Sequence, residues 1–240
     1  MKSEDKKKSK KNILLRIVFV LFIVSVFYAV FMFFQAPSGQ SEDQFGRVKS
    51  DYVLMILQCL AGAVVLFLPS KIKKHSRLYI PNTMEVLYII FLFCAIFLGE
   101  VGNFYHLIPF WDMILHGFSA GMLGALGFMI VSYLNQSDYL EDALTPFFVA
   151  LFSFGFAMTI GVFWEIYEFA ADALLGTNMQ KFITANNTVL EGQEALFDTM
   201  KDLIINTTGA LIICAIGYYL MKKKGTVNLV DELEEEKSEE

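Results

Sequence analysis

Six long apolar runs alternate with short polar stretches along the chain. They fall at about residues 13–34, 52–68, 84–107, 111–134, 146–171 and 203–221. A helix that crosses a hydrocarbon core needs about 20 mainly apolar residues, so each run is read as one transmembrane span. The first could be mistaken for a secretory leader because lysines precede it. Its apolar stretch is too long for that and no A-x-A site follows, so a retained anchor is expected. The pattern predicts an all-α, polytopic membrane helical bundle with six transmembrane helices. Residues 1–12 form a basic N-terminal segment, 13–221 the membrane domain and 222–240 a charged tail expected to be solvated. Between spans, residues 35–51 read as a polar loop. Residues 172–202 read as a longer segment, in which 189–200 is expected as a short interfacial helix.

Composition sharpens this reading. Of 240 residues, 55% are hydrophobic and only 18% charged, and the charges are segregated to the tails and loops. That excludes a soluble enzyme, a nucleic-acid-binding module and a disordered chain. Cys59, Cys94 and Cys214 lie inside apolar runs without metal or disulfide spacing and read as small hydrophobes. Lysine and arginine counts set the expected orientation. Lys2 to Lys11 with Arg16, the 71–77 loop, and Lys222 to Lys224 share one face, whereas the other carries Arg47, Lys49, Lys181 and Lys201. Both termini are therefore expected in the cytoplasm, with the protein in the cytoplasmic (inner) membrane. The N-terminal lysines are expected to fix topology, and contact with anionic lipids is secondary.

Ionisable residues within spans are expensive, so each is a candidate functional residue. The third span carries Glu100 and Asn103, with His106 at its end; the fourth opens with Asp112 and His116; the fifth ends with Glu165, Glu168 and Asp172. The sixth is entered through Asp198 and Asp202 and continues to Asn206. Asp112 and His116, Glu165 and Glu168, and Asp198, Asp202 and Asn206 stand three or four residues apart, which puts each set on one helix face. With the orientation above, all of them fall in the outer third of the membrane. His116, Glu165 and Glu100 lie roughly 5–11 Å below the outer span ends at the helical rise per residue. Carboxylates so close cannot all ionise in low dielectric, and the only basic residue read as nearby is Lys201. Some stay protonated, or a cation sits among them. Oxygen-rich ligands suit Mg²⁺, Ca²⁺ or Mn²⁺, and His116 admits Zn²⁺. The competing account is helix capping, with Asp112 at the fourth span and Asp198 or Asp202 at the sixth. It leaves Glu165 and Glu168, near a helix C-terminus, unexplained.

Trp111-Asp112-x-x-x-His116, Phe163-Trp164-Glu165-x-x-Glu168, and Asp198-Thr199-x-x-Asp202 followed by Asn206-x-x-Gly209 resemble the signature of a bacterial inner-membrane family typified by YjdF. A looser likeness is to VanZ-like proteins, although Glu168 stands where that group more often has Gln. The resemblance covers about residues 84–221 and implies a six-span helical fold with polar residues at the outer face. It brings no settled reaction. VanZ-like members are associated with glycopeptide (teicoplanin) resistance, which implies a role near outer-leaflet or cell-wall chemistry.

Several competing patterns are weaker. Gly117-Phe118-Ser119-Ala120-Gly121 matches a nucleophile elbow, which needs a strand-to-helix turn; within an apolar helix, the small residues at 117, 121, 124, 125 and 127 read as a close-packing face. A rhomboid-like serine protease needs a His on a later helix, and His75, His106 and His116 all precede Ser119. Trp111, Trp164, Tyr105 and Tyr167 read as interfacial anchors. Three function classes are carried forward. The first is an outer-leaflet binding protein or membrane-embedded enzyme holding a divalent cation or a cationic or lipid headgroup. In its enzyme form His116 and Glu165 are ligands or an acid–base pair, with Asp112, Glu168, Asp198, Asp202 and Asn206 completing the site and Glu100, Asn103 and His106 secondary. The second is a cation- or proton-coupled transporter, for which the inner halves offer only Ser132, Thr145, Ser153 and Thr159. The third is a structural or regulatory membrane protein without chemistry of its own.

Overall fold

The computed structural model describes residues 2–38, 46–75, 78, 80–135, 144–184 and 188–224. The acidic tail beyond Lys224 lies outside the described residues, as does the 136–143 loop. The chain is all-helical: α1 Lys2–Gln35, α2 Lys49–Val65, α3 Leu68–His75, α4 Asn82–Leu92, a π-helix Phe93–Val101, α5 Phe104–Leu107, α6 Trp111–Asn135, α7 Pro146–Leu175 and α8 Gln193–Lys224. Six helical stretches are long and apolar enough to cross a membrane: Ser9–Gln35, Lys49–His75, Asn82–Val101, Trp111–Asn135, Pro146–Leu175 and Gln193–Lys223. Large side chains such as Phe27, Phe34, Phe147 and Leu174 stand exposed along them, a distribution suited to lipid and costly in water.

Two compact units are distinguished. The first holds Met1–Pro69, Asn82–Leu115 and Trp164–Lys201. Its core is built by Val18 and Phe22 of α1, Met55 and Cys59 of α2, and Ile89 and Leu92 of α4. Gly62 lets α2 come close: a Cβ there would stand 2.5 Å from Ile96 Cδ1 and 3.0 Å from Phe22. Helix α2 starts where Asp51 reaches back to accept the Val48 N–H at 2.8 Å, half of a capping box, since valine has no acceptor to return. At the other end Tyr88 donates its hydroxyl to the Val65 carbonyl at 2.9 Å, satisfying one of the orphan acceptors of a helix C-terminus. Lys11 forms a largely buried ion pair with Glu85, Nζ to Oε2 at 2.5 Å, and also reaches Asn82.

The stretch 84–107, expected as one continuous span, changes character twice. After Leu92 the backbone widens into the π-helix, closed by the Gly102 N–H on the Phe97 carbonyl at 2.7 Å. It then breaks at Asn103, which takes a left-handed φ of 62°, a conformation Asn tolerates better than most residues. Gly99 admits the Tyr105 ring from the turn beyond the break; a Cβ on it would lie 2.5 Å from Cε2.

The second unit holds Ser70–Pro81, His116–Phe163 and Asp202–Glu240. Its helices approach through small residues. Gly209 of α8 lies against the main chain of α6, where a Cβ would be 2.6 Å from the Gly117 carbonyl oxygen. Gly127 lies equally close to Ser153 of α7, with 2.7 Å between such a Cβ and the Ser153 Cα. Ala120, Ala157 and Ala210 form one buried cluster and Phe128, Val131, Val149, Cys214 and Met221 another. The small-residue stripe of α6 is thus a packing face, and Gly117-x-Ser119-x-Gly121 is helical, with the Ser119 hydroxyl donating to the His116 carbonyl at 3.0 Å.

Candidate functional site

Close main-chain approach positions the most buried polar pair. Gly117 and Gly209 let α6 and α8 touch, and one residue before Gly117 stands His116, 6% exposed. Two turns before Gly209 stands Asp202, fully buried. His116 Nε2 lies 3.9 Å from Asp202 Oδ2, beyond hydrogen-bond length. One turn further along the same face of α8 is Asn206, 2% exposed. Its amide nitrogen has no hydrogen-bond partner among the described residues. Gly161 of α7 faces that amide, and a Cβ on it would stand 2.9 Å from Asn206 Nδ2.

In the first unit the candidate residues are held differently. Lys181 Nζ bonds Asp112 Oδ2 at 2.5 Å and both oxygens of Asp198 at 3.2 Å, and Lys201 Nζ meets Asp198 Oδ1 at 2.6 Å. The expectation of a carboxylate slab with Lys201 as the only nearby cation is therefore corrected. Lys181 was missed because it lies 69 positions from Asp112, in a loop whose path no local periodicity reveals. The loop is shaped by Asp172, which accepts from the Thr177 hydroxyl at 2.6 Å and from the Met179 and Gln180 N–H groups at 2.7 and 2.9 Å. Asn178 adds a reciprocal pair with Ile183, and Gln180 bonds Thr199 of α8. Lys181 itself takes a left-handed φ of 50°.

The capping account of the sixth span is also corrected. Helix α8 begins at Gln193, so the separate interfacial helix expected over 189–200 is its first turns. Asp198 and Asp202 lie inside it, past the free N–H groups of the first turn. On α7, Glu165 and Glu168 are buried, and Glu168 accepts from Trp164 Nε1 at 2.8 Å. The secondary residues cluster around Arg47, another cation that sequence spacing did not bring near. Its guanidinium donates to the Glu100 and Val101 carbonyls and to Asn103 Oδ1, and His106 Nδ1 lies 3.0 Å from the same Asn103 oxygen. A cation there offsets the negative end of the π-helix. Glu100, Asn103 and His106 thus accompany a helix terminus.

Residues 11–223 match a family described as predicted membrane protein (DUF2238). The chain belongs to DUF2238. This is the family that the YjdF-like motifs pointed to, and the match extends beyond 84–221 to the first two spans. A relative of this DUF2238 chain from Thermotoga maritima, described as an uncharacterised protein, is 29% identical over 163 residues, covering 66% of this chain and 73% of the relative. No solved structure matches.

Proposed function

We propose that this DUF2238 protein binds a divalent cation through His116 and Asp202 on the extracytoplasmic side of the bacterial inner membrane, in the service of envelope-lipid chemistry. The observation that carries the reading is the buried His116–Asp202 pair at 3.9 Å. Two ligands each about 2.1 Å from one ion stand between about 3 and 4.2 Å apart, depending on the angle at the metal. An imidazole with a carboxylate is a donor set that suits Zn²⁺ or Mn²⁺. Asp112 precedes His116 by one turn of α6 and enters the reading as an outer carboxylate, its charge offset by Lys181. Glu165 and Glu168 remain candidates for acid–base work from their spacing. Lysine-rich ends at Lys2–Lys11 and Lys222–Lys224 support cytoplasmic termini. The looser VanZ-like likeness supports envelope chemistry.

Transport is less favoured. The Ser153 and Thr159 hydroxyls, among the few polar groups expected to line an inner pathway, donate to Val149 and Gly155 carbonyls of their own helix at 2.8 Å. The test is metal content of the purified full chain beside Asp202→Asn. Near-stoichiometric metal is expected in the parent and its loss in a variant that keeps its helical circular dichroism. Equal metal in both, or none in the parent after incubation with Mg²⁺, Mn²⁺, Ca²⁺ and Zn²⁺, rejects the site. A Glu165→Gln variant that keeps its metal and its abundance separates binding from an acid–base role.

A further inference from the structure

The second span ends in a way that its apolar composition does not require. Pro69 has no N–H, so the Val65 carbonyl four residues earlier loses its helical donor. The helix gives way over Leu66 and Phe67 and restarts as α3. The Tyr88 hydroxyl of α4 takes the missing donor's place on the Val65 carbonyl, at 2.9 Å. The break is thus held by a side chain from a neighbouring helix, and α3 leaves it as a short element of its own.

Lipid reaches this element along an unbroken path. Leu57, Leu60 and Val64 stand exposed on one face of α2, three and four residues apart, and Leu68 carries the exposed apolar surface into α3. The apolar stretch over residues 52–68 measures about 25 Å at the helical rise per residue, most of the ~30 Å hydrocarbon core. Residues 70–75 therefore fall at the depth of the lipid headgroups. Lys71 and Lys74 are exposed there, three residues apart on one side of α3, while Lys73 is half-buried. Neither Lys71 nor Lys74 forms an ion pair with a described residue. The His75 ring meets the Lys71 carbonyl at 3.1 Å, closing the last turn without drawing on either ammonium. Two like charges at this spacing repel and destabilise a helix. An anion between them reverses the sign of that interaction.

We infer that α3 docks anionic phospholipid headgroups, with Lys71 and Lys74 engaging the phosphate and Leu68 anchored among the acyl chains. Charge complementarity and continuity with the lipid-facing side of the second span select this occupant. The inference is independent of the cation reading above and of which way the chain crosses the membrane. A lysine near an anionic membrane surface is worth about fivefold in an equilibrium constant, so the pair is worth about 25-fold.

The experiment is amide hydrogen exchange, read by mass spectrometry, on the full chain in lipid nanodiscs. One set of discs is phosphatidylcholine alone and the other is phosphatidylcholine mixed with phosphatidylglycerol. Phosphatidylglycerol should slow exchange over residues 70–75 by about 25-fold and leave residues 52–64 of α2 as they were. Lys71→Gln should lose about fivefold of that slowing and Lys71→Gln/Lys74→Gln nearly all of it. Lys71→Arg/Lys74→Arg, which keeps both charges, should retain it. Lys6→Gln/Lys7→Gln removes the same charge from the N-terminal run and should also leave it in place. Equal exchange of the parent in both lipids overturns the inference. So does a slowing that survives in Lys71→Gln/Lys74→Gln, or one lost equally in Lys6→Gln/Lys7→Gln. Exchange over residues 70–75 that ignores lipid charge but quickens when residues 229–240 are removed assigns this face to the acidic tail and overturns it as well.

Discussion

Replacing Gly209 by alanine tests the contact on which the site depends. The added methyl would start 2.6 Å from the Gly117 carbonyl oxygen, where ordinary contact begins near 3.4 Å, so α6 and α8 must part by about 3.4 − 2.6 = 0.8 Å. The obstructing atom is main chain, so no rotamer change relieves it. Overpacking of this kind costs about 1–3 kcal/mol. Gly155→Ala is the matched control. Nothing lies within 4 Å of its added methyl, and alanine is favoured over glycine in a helix interior by about 0.8–1 kcal/mol. That propensity gain is common to both substitutions, so the two alanine variants should differ by the overpacking cost alone, about 1–3 kcal/mol, with Gly209→Ala the less stable. The assay is reversible unfolding in mixed detergent–SDS micelles followed by circular dichroism. Mn²⁺ affinity, measured under folding conditions, should fall for Gly209→Ala because His116 and Asp202 are carried on the two separated helices. If both variants were equally stable and bound Mn²⁺ equally, the main-chain contact would not be what sets the His116–Asp202 distance.

Three further outcomes are expected. Lys11→Met leaves Glu85, 3% exposed, without its ammonium and should destabilise the fold by about 3–5 kcal/mol; adding Glu85→Met should recover much of the loss, and a double-mutant cycle showing no coupling would contradict the pairing. Asp172→Ala removes the acceptor of three hydrogen bonds that shape residues 177–180, so limited proteolysis should cut this loop several times faster while global stability changes less. Lys181→Gln withdraws a counter-ion from Asp112 and Asp198. Its side chain is 35% exposed, so the pairing is worth about 0.2–1 kcal/mol. Divalent-cation affinity should accordingly rise by no more than about fivefold, as read from the same Mn²⁺ titration.

The helical architecture was legible because hydropathy reports burial in lipid directly, and six apolar runs became six helices of spanning length. What hydropathy does not register is the path of the backbone within an apolar run. Residues 93–101 have the composition of any span, so their π-helical widening and the left turn at Asn103 left no mark. The polar first turns of α8 misled in the opposite direction: Glu194, Asp198 and Lys201 look like a surface segment, yet they continue the spanning helix without a break. At the site, fourfold spacing placed Asp112 with His116 and Asp202 with Asn206, because helical periodicity is local. The pairing of His116 with Asp202 depends on which glycines meet, and the reach of Lys181 and Arg47 depends on loop closure. Neither has a periodic trace in the sequence.

The π-helix changes what a deletion would mean in this chain. Each turn of Phe93–Val101 carries a residue more than an α-turn would. Every residue removed or added in a helix rotates all that follows by about 100°. Elsewhere in the spans, losing one codon would swing the remaining side chains off their faces. Between 93 and 101 the surplus residue can be absorbed by reverting to α-geometry, with Gly102 and the left-handed Asn103 as the joint that takes up the rest. This stretch is therefore a natural point for length variation among relatives, where a phase shift can be written into a membrane helix without disturbing the helices on either side.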